Sequence, residues 1–476
     1  MTTIEAIRRE WLFAALVAAF AAIYLVQYPA TFAIADECEI LTLAYSIDHG
    51  TCFPDRAGLA TYNPVFEIPS GGHRVVLYSP FHAALLAPAL RVDWKLDFLV
   101  TAAFLILGAF AMRAMLMREG LGSDWCILYF LLAGMLYYSR TLVAAVPAAV
   151  MGLLAVWMLT GEKQRPILGG LAFGAAVLLH PWMGSLAIPY AVVWWFEGGA
   201  GHRLRNAVAL ATGALPAILA LGAYNYLTTG APLTNVYVIR GVQFWFTGAH
   251  FTAYFPFYLV SLAIFPIGGL SVLSLRWSRG WALPVSAAVM IAAASLYPYR
   301  DGLTSGLSGA AALIAGAIPG QRFLLPVSVV ACVPAARWLS SRLPLPAASW
   351  PAALRAVALA VFVVGFASLS ALHQSYLRAH AKVQTALATA LPAGAIVAES
   401  DQGDILKELA PVYELVEYHR DDSSRANGQL RGAYHVWMGE PGEAPPVSIT
   451  ASPRTEMVPA RSWVWKRDLW IAWPND

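Results

Sequence analysis

The sequence is poor in charge. Asp, Glu, Lys and Arg make up 12% of its 476 residues and 59% of the residues are apolar, whereas soluble domains carry about 25% charged residues. No cluster of Lys and Arg indicates a nucleic-acid partner. Because the shortage of charge extends over most of the chain, with a mean hydropathy of +0.59, we predict a protein that crosses the membrane many times.

Cysteine is also rare, and a count of four excludes a disulfide-rich scaffold. Cys126 and Cys332 lie within apolar runs and are expected to be small apolar core residues. Cys38 and Cys52 lie in a more polar segment, where a disulfide would contribute about 3 kcal/mol. The sequence leaves open whether these two are bonded. It contains no repeat of fixed period.

Apolar runs of about 20 residues predict eleven transmembrane helices. They cover residues 11–32, 98–117, 125–139, 141–160, 166–182, 185–197, 206–227, 253–275, 281–298, 322–340 and 351–372. A further run, 77–90, has the length of an interfacial or re-entrant helix, so we do not count it as a span. Counting it would reverse the orientation of every later helix.

The basic residues of the short loops support this count. If residues 77–90 do not cross the membrane, the basic residues of the N-terminus and of the short loops all lie on one side. These residues are Arg8, Arg9, Arg113, Arg118, Lys163, Arg165, Arg203, Arg205, Arg276, Arg279, Arg337, Arg342 and Arg355. An excess of Lys and Arg marks the cytoplasmic side. We therefore expect the N-terminus inside and the C-terminus outside.

Two parts of the chain are expected to lie outside the membrane. One is the first outer loop, residues 35–97, which is long for a connection within a bundle. The other is the tail, the last 104 residues of the chain, which carries 10 basic and 13 acidic side chains. In the tail we predict helices at 374–390 and 403–410 and strands at 395–398, 412–418 and 462–472.

The expected fold class is therefore an all-α polytopic membrane protein with a small C-terminal α/β extracytoplasmic domain. The transmembrane domain would cover residues 1–372 and would include the outer loop with its interfacial helices. The tail domain would cover residues 373–476.

Carboxylates are concentrated where the first span ends, at Asp36, Glu37 and Glu39. The apolar residues that follow have helical spacing, which predicts an amphipathic helix over 37–48 on the membrane surface. Such a helix would hold Asp36 and Glu37 at the lipid–water boundary, where a carboxylate can act as a general base toward a hydroxyl or an amine. The structural alternative is a solvated helix end.

The segment from Ala35 to Gly50, ADECEILTLAYSIDHG, resembles the first outer loop of the GT-C glycosyltransferases, which include the protein O-mannosyltransferases and the lipid A aminoarabinose transferases. Tyr78-Ser79-Pro80 resembles the Y-x-P element of the same loop. Residues 225–233, NYLTTGAPL, and 320–326, GQRFLLP, resemble two further stretches of bacterial members. The resemblance covers the order of elements from residue 11 to about residue 410.

This resemblance implies an inverting glycosyltransferase of the bacterial cytoplasmic membrane. It would move a sugar from a polyprenyl-phosphate donor to a lipid, glycan or protein acceptor on the outer face. By position, Asp36 would be the catalytic carboxylate and Glu37 its partner. The leaving lipid phosphate needs a fixed cation, and Arg322, at the outer start of a predicted span, is the first candidate. Its structural alternative is an anchor at the membrane interface.

Three other residues are candidates for binding the donor phosphate. Tyr78 could donate a hydrogen bond, but it would fit equally well in the aromatic belt of the interface. Arg300 could instead pair with the adjacent Asp301. His180 ends a predicted span where many relatives carry Arg or Lys before a proline, so a second fixed positive charge is in doubt there.

A metal ion is not predicted as a required cofactor. Asp36, Glu37 and His73 could ligate a divalent metal, but the sequence has no H-x-x-H or paired-cysteine spacing. The sequence therefore leaves a divalent metal open and predicts no other cofactor.

Two other classes of membrane protein compete with this interpretation. A transporter or flippase of lipid-linked sugars usually has charged residues in the middle of its spans and internal symmetry, and the sequence shows little of either. A polysaccharide ligase or polymerase of another fold would usually place its large outer loop late in the bundle, whereas here the acidic loop comes first.

Overall fold

A computed structural model describes most of the helical part of the chain and the strands of the tail. The residues that it describes are 3–29, 31, 35–54, 67–70, 73–161, 163–198, 202–236, 248, 250–252, 254–256, 258, 274–278, 280–296, 321–343, 350–391, 396–400, 414–418, 434–439, 454–458 and 468–473. The predicted span 253–275 and the predicted helix 403–410 lie largely or wholly outside these residues.

The chain divides into two compact units. The membrane unit consists of residues 1–28 and 98–370, and the loop–tail unit consists of residues 29–97 and 371–476. The first outer loop is thus grouped with the tail. The expected domain boundary between residues 372 and 373 stays a prediction.

The described part of the membrane unit is mainly helical. In chain order the helices that the structure delimits there are α1 (Thr3–Val26), α4 (Asp97–Arg118), α5 (Ile127–Phe130), α6 (Ala133–Tyr138), α7 (Ala145–Leu159), α8 (Pro166–Leu179), α9 (Gly184–Glu197), α10 (Arg203–Thr229), α11 (Ala282–Leu296), α12 (Leu325–Arg342) and the first half of α13 (Ala352–Ala390). The loop contributes α2 (Ala35–Asp48) and α3 (Pro80–Leu90) to the loop–tail unit.

Among the described residues, three helices are long and apolar enough to cross a membrane: Trp94–Arg118, Arg203–Thr229 and Ala352–Leu387. Helices α7, α8 and α11 are apolar but have 14 or 15 residues, which is short for a hydrocarbon core about 30 Å thick. The number of eleven spans therefore stays a prediction.

Helix α3 has 11 residues and is about 16 Å long, which is too short to cross a bilayer. Contacts in the membrane unit agree with an interfacial α3, because they show that α1 and α4 are antiparallel. Glu10, near the start of α1, pairs with Arg113, near the end of α4, at 2.8 Å. At the other ends, the Tyr24 hydroxyl donates to the carbonyl of Phe98 at 2.6 Å. The chain between these helices thus returns to the side that it left.

The same alternation continues along the bundle. Five hydrogen bonds join helix ends that are predicted to be cytoplasmic. Two are to backbone carbonyls: Arg118 donates to Thr160 at 2.6 Å and the Trp194 indole donates to Leu159 at 3.1 Å. Three are to carboxylates: Arg337 donates to Glu119 at 3.1 Å, Arg355 donates to Asp124 at 2.8 Å, and the backbone N–H of Trp281 donates to Glu197. These contacts join only ends that the sequence assigns to one side. The side that faces the cytoplasm stays a prediction.

Helices α8 and α10 approach each other closely through glycine. A Cβ atom on Gly170 would lie 2.0 Å from the carbonyl oxygen of Leu210, and one on Gly213 would lie 2.0 Å from that of Ile167. One turn further along, a Cβ on Gly174 would lie 2.7 Å from the Cβ of Ala217. Small residues four apart allow this kind of backbone contact between membrane helices.

The structure changes three of the predicted helical segments in ways that have a local explanation or alter the order of elements. Helix α1 ends at Val26 and not at residue 32, and Pro29 follows, which restricts the residue before it. The predicted span 125–139 is divided into α5 and α6 by Leu131 and Leu132, whose backbone angles are not helical. The predicted span 351–372 and helix 374–390 form one continuous helix, α13, of 39 residues.

The tail contains a five-stranded mixed sheet. Its strands are β3 (Ile396–Ser400), β4 (Glu414–Tyr418), β5 (Tyr434–Gly439), β6 (Thr455–Val458) and β7 (Asp468–Ala472), in the order β4-β3-β5-β7-β6. Strand β3 is parallel to β4 and β5, and β7 is antiparallel to β5 and β6. The side chains of Trp437, Leu469 and Ile471 are buried.

Strands β3, β4 and β7 were expected from the sequence, although β7 begins six residues later than predicted. Strands β5 and β6 were not expected. A short hairpin of β1 (Glu67–Ser70) and β2 (His73–Val76) in the first loop was also not expected.

Candidate functional site

The acidic residues of the first loop lie in the first turn of α2. Asp36 and Glu37 are both in this turn, where the positive end of the helix dipole stabilises a carboxylate. Asp36 is half-buried, whereas Glu37 is 1% exposed. Glu37 lies on the helix face that carries the buried Ile40 and Ala44, three and seven residues further on. Asp36 is therefore the more accessible carboxylate of the two.

Helix α3 packs against α2, and the contact between their C-terminal ends indicates that the two run in the same direction. The Nε of Arg91, directly after α3, lies 2.6 Å from the Oδ1 of Asp48, the last residue of α2. Counting back from this ion pair, Asp36 is 12 residues from Asp48 and Tyr78 is 13 residues from Arg91. Two adjacent parallel helices of similar length bring both N-terminal ends to the same level. From this count we infer that the half-buried Tyr78 lies at the end of the helix pair that carries Asp36 and Glu37.

In the membrane unit, His180 and Arg322 lie next to two residues that contact each other. The Trp182 indole N–H donates to the carbonyl of Phe323 at 2.9 Å, and the two rings have centroids 5.0 Å apart. The guanidinium of Arg322 lies 4.9 Å from the ring centroid of Phe323. The end of α8 and the turn before α12 are therefore joined, and this contact brings two of the predicted phosphate-binding residues to one place.

The hydrogen bond that His180 accepts orients its ring. Its Nδ1 accepts the backbone N–H of Trp182 at 3.3 Å, so in this arrangement the ring carries its hydrogen on Nε2. His180 is half-buried, as is Arg322. Nε2 can therefore donate a hydrogen bond without the ring being charged, which differs from the cationic role considered from the sequence.

Arg300 and Asp301 lie outside the described residues, so their roles stay predictions. The side chain of Cys38 is not described either, and a bond to Cys52 stays open. In the part of the chain that the structure describes, no group of three or more His, Cys, Asp or Glu residues is arranged to hold a metal ion. The His73 ring lies 4.8 Å from that of Phe53. That the protein requires no metal ion stays a prediction.

Arg140 is a buried basic residue that the sequence did not indicate. It lies between α6 and α7, at the outer side in the predicted orientation, and its side chain is 0% exposed. Its Nη2 donates to the carbonyl of Gln27 at 2.6 Å, and its guanidinium lies 5.8 Å from the ring centroid of Tyr24. One signal could have found it: Arg140 opposes the positive-inside bias that the other short loops follow.

No family model matches the chain, and no curated protein matches it in sequence. Among solved structures, it is similar to ArnT from Cupriavidus metallidurans bound to undecaprenyl phosphate, with a TM-score of 0.55 and 12% identity over 97% of this chain and 98% of that one. The apo state of ArnT gives a TM-score of 0.55 and 13% identity over 96% and 97%. The archaeal oligosaccharyltransferase AglB from Archaeoglobus fulgidus gives 0.47 and 12% over 90% and 70%.

The similarity to ArnT extends over nearly the whole of both chains, so the two share one architecture. The chain has the fold of ArnT, so the resemblance seen in the sequence is confirmed at the level of the fold alone.

Proposed function

We propose that the protein is an inverting glycosyltransferase that moves a sugar from a polyprenyl-phosphate donor to an acceptor at the outer face of the bacterial cytoplasmic membrane. The observation that carries this proposal is the similarity over 97% of the chain to ArnT, whose structure contains undecaprenyl phosphate. The sugar and the acceptor, whether a lipid, a glycan or a protein, remain to be identified by experiment.

Asp36 is the proposed catalytic base. In an inverting transfer, the acceptor oxygen or nitrogen attacks the anomeric carbon from the face opposite the phosphate. The carboxylate takes the acceptor's proton, and the bond to the phosphate oxygen breaks with both electrons leaving on the phosphate. The half-buried Asp36 is accessible to an acceptor. Glu37, which is 1% exposed on the packed face of α2, is assigned the role of its partner and not of the base.

Arg322 is the proposed ligand of the donor phosphate. Negative charge grows on the phosphate as the sugar leaves, and a guanidinium donates to it in a planar, bidentate arrangement. His180, whose Nε2 carries the hydrogen, is proposed as a second donor, and the contact of Trp182 with Phe323, which joins its segment to that of Arg322, supports this proposal. Tyr78 is proposed as a further hydroxyl donor. The assignment of Arg300 to the same group rests on the sequence alone.

The test is transfer of label by purified protein. The full chain in lipid nanodiscs would be incubated with radiolabelled polyprenyl-phosphate sugars and a membrane extract, and the labelled product would be identified. We expect Asp36→Asn to abolish transfer. The matched control is Asp48→Asn on the same helix, which removes an ion pair with Arg91, whose side chain is 70% exposed, and should keep transfer.

Two results would contradict the proposal. Full turnover of the Asp36→Asn variant would remove this carboxylate from the chemistry. Movement of a labelled lipid-linked sugar between leaflets of proteoliposomes, without transfer to any acceptor, would identify a flippase instead.

A further inference from the structure

Both ends of the segment 29–97 leave the membrane unit at one place. Tyr28, the last residue before the segment, and Phe98, the first residue after it, have ring centroids 6.3 Å apart. The buried hydrogen bond of 2.6 Å from the Tyr24 hydroxyl to the carbonyl of Phe98 joins the end of α1 to the start of α4. The segment that carries Asp36 and Glu37 is thus a closed loop with a defined base.

Arg140 reaches this base from a different part of the chain. Helix α1 ends at Val26, so the carbonyl of Gln27 is not part of the regular helical ladder, and the negative end of the helix dipole favours a cation here. Arg140 supplies that cation through Nη2, at 2.6 Å from the Gln27 oxygen. Its guanidinium also lies 5.8 Å from the ring centroid of Tyr24.

The residue before Arg140 is fixed to the other side of the base. The Thr101 hydroxyl, in the first turns of α4, donates to the carbonyl of Ser139 at 2.9 Å in a buried hydrogen bond. Ser139 and Arg140 therefore hold α4 and α1 respectively. We refer to Tyr24, Gln27, Phe98, Thr101, Ser139 and Arg140 as the loop-base cluster.

An interface anchor does not explain Arg140. An anchoring arginine places its guanidinium in water, whereas Arg140 is 0% exposed. Burying a charge costs several kcal/mol even when it is hydrogen-bonded, and apolar residues of similar volume often give equal or greater stability. Stability alone therefore does not favour an arginine at this position, and its specific contact with the end of α1 needs another reason.

We propose that Arg140 is a positioning residue for the transfer reaction: its hydrogen bond to Gln27 fixes where the chain enters the loop that carries Asp36 and Glu37. Nine positions separate Gln27 from Asp36, and this stretch contains Pro29 and no glycine. A proline has a fixed φ angle, and the absence of glycine reduces backbone freedom. This inference rests on the proposed function, because it assigns Arg140 to the same reaction.

The test compares Arg140→Gln with Arg113→Gln in the full chain. Arg113 joins the same two helices at their other end, through Glu10, so its loss should affect folding without moving the loop base. We expect Arg140→Gln to lower kcat per folded molecule by about 10- to 100-fold, since a displacement of about 1 Å can cost that much. The KM for the donor should stay within about twofold of the wild-type value, and Arg140→Lys, which keeps the charge, should recover part of kcat.

A second measurement does not depend on turnover. Hydrogen exchange of peptides covering residues 27–48 should become faster in Arg140→Gln and stay unchanged in Arg113→Gln. Unchanged exchange, or a kcat within about twofold of wild type, would overturn the inference. A raised donor KM with unchanged kcat would also overturn it, because Arg140 would then act on the donor. If the wild type transfers no sugar while exchange still responds to Arg140→Gln, the proposed function fails and the inferred role in fixing the loop base remains.

Discussion

Asp124 and Arg355 form a buried ion pair between the turn before α5 and the first turn of α13. Both the Nε and the Nη2 of Arg355 donate to the same oxygen of Asp124, at 3.0 and 2.8 Å, and the backbone N–H of Trp350 donates to it at 2.7 Å. The Asp124 side chain is 1% exposed and the Arg355 side chain is 5% exposed. Removing the charge of one partner leaves the other buried without compensation.

Asp124→Asn is therefore predicted to lower the free energy of unfolding by about 3 kcal/mol. Asp97 provides the matched comparison, because it is 0% exposed and neither of its carboxylate oxygens has a hydrogen-bond partner among the described residues. Burying an unpaired charge is costly, so Asp97→Asn should keep or raise stability. Thermal unfolding of both variants in detergent measures the difference. A loss in Asp97→Asn as large as that in Asp124→Asn would contradict this reasoning.

The close contact of α8 and α10 makes a second prediction. A side chain at Gly213 would overlap the Ile167 backbone, which cannot move like the end of a flexible side chain. Gly213→Leu should therefore separate the two helices and lower stability by more than about 3 kcal/mol. Gly222→Leu is the control on the same helix, because its nearest neighbour would lie 3.8 Å away. The two variants would be compared by the folded fraction after heating in detergent, and equal losses would contradict the close approach.

Much of the helical architecture could be predicted from the sequence, because long apolar runs and helical spacing act locally. Helix α2 was expected over 37–48 and covers 35–48, and α3 is short, as its apolar run indicated. The break at Leu131 and Leu132 could not be predicted, since neither residue is a helix breaker. It lies in a buried stretch, where packing against neighbouring helices decides the backbone.

The candidate site was predictable only in part. Asp36 and Glu37 stand out because carboxylates are rare in so apolar a chain, but their difference in exposure depends on which face of α2 is packed. Arg140 was missed because its one sequence signal, a basic residue on the side opposite the other short-loop arginines, indicates no particular contact. Its importance becomes visible when the structure places it against Gln27, 113 positions away in the chain.

Arg322→Ala is predicted to raise the KM for the lipid-phosphate donor by about tenfold or more, since a charge-assisted contact contributes about 1.5–3 kcal/mol. Folding should change little, because Arg322 is half-buried. Arg337→Ala, near the other end of α12, removes an ion pair with Glu119 and should leave the donor KM unchanged. Donor saturation curves for both variants in nanodiscs would measure this. The same donor KM in wild type and Arg322→Ala would exclude Arg322 from the phosphate site.

The contact between Trp182 and Phe323 predicts that Trp182 acts on the donor through Arg322. Trp182→Phe removes the hydrogen bond to the Phe323 carbonyl but keeps an aromatic ring, so it should cost about 1 kcal/mol of stability. It should also raise the donor KM severalfold, because the turn that holds Arg322 loses its connection to α8.

A double-mutant cycle separates this effect from a general loss of folding. Once Arg322 is alanine, Trp182→Phe should have little further effect on the donor KM. Additive changes in KM would show that Trp182 and Arg322 act independently, and the joined arrangement would then have no role in donor binding.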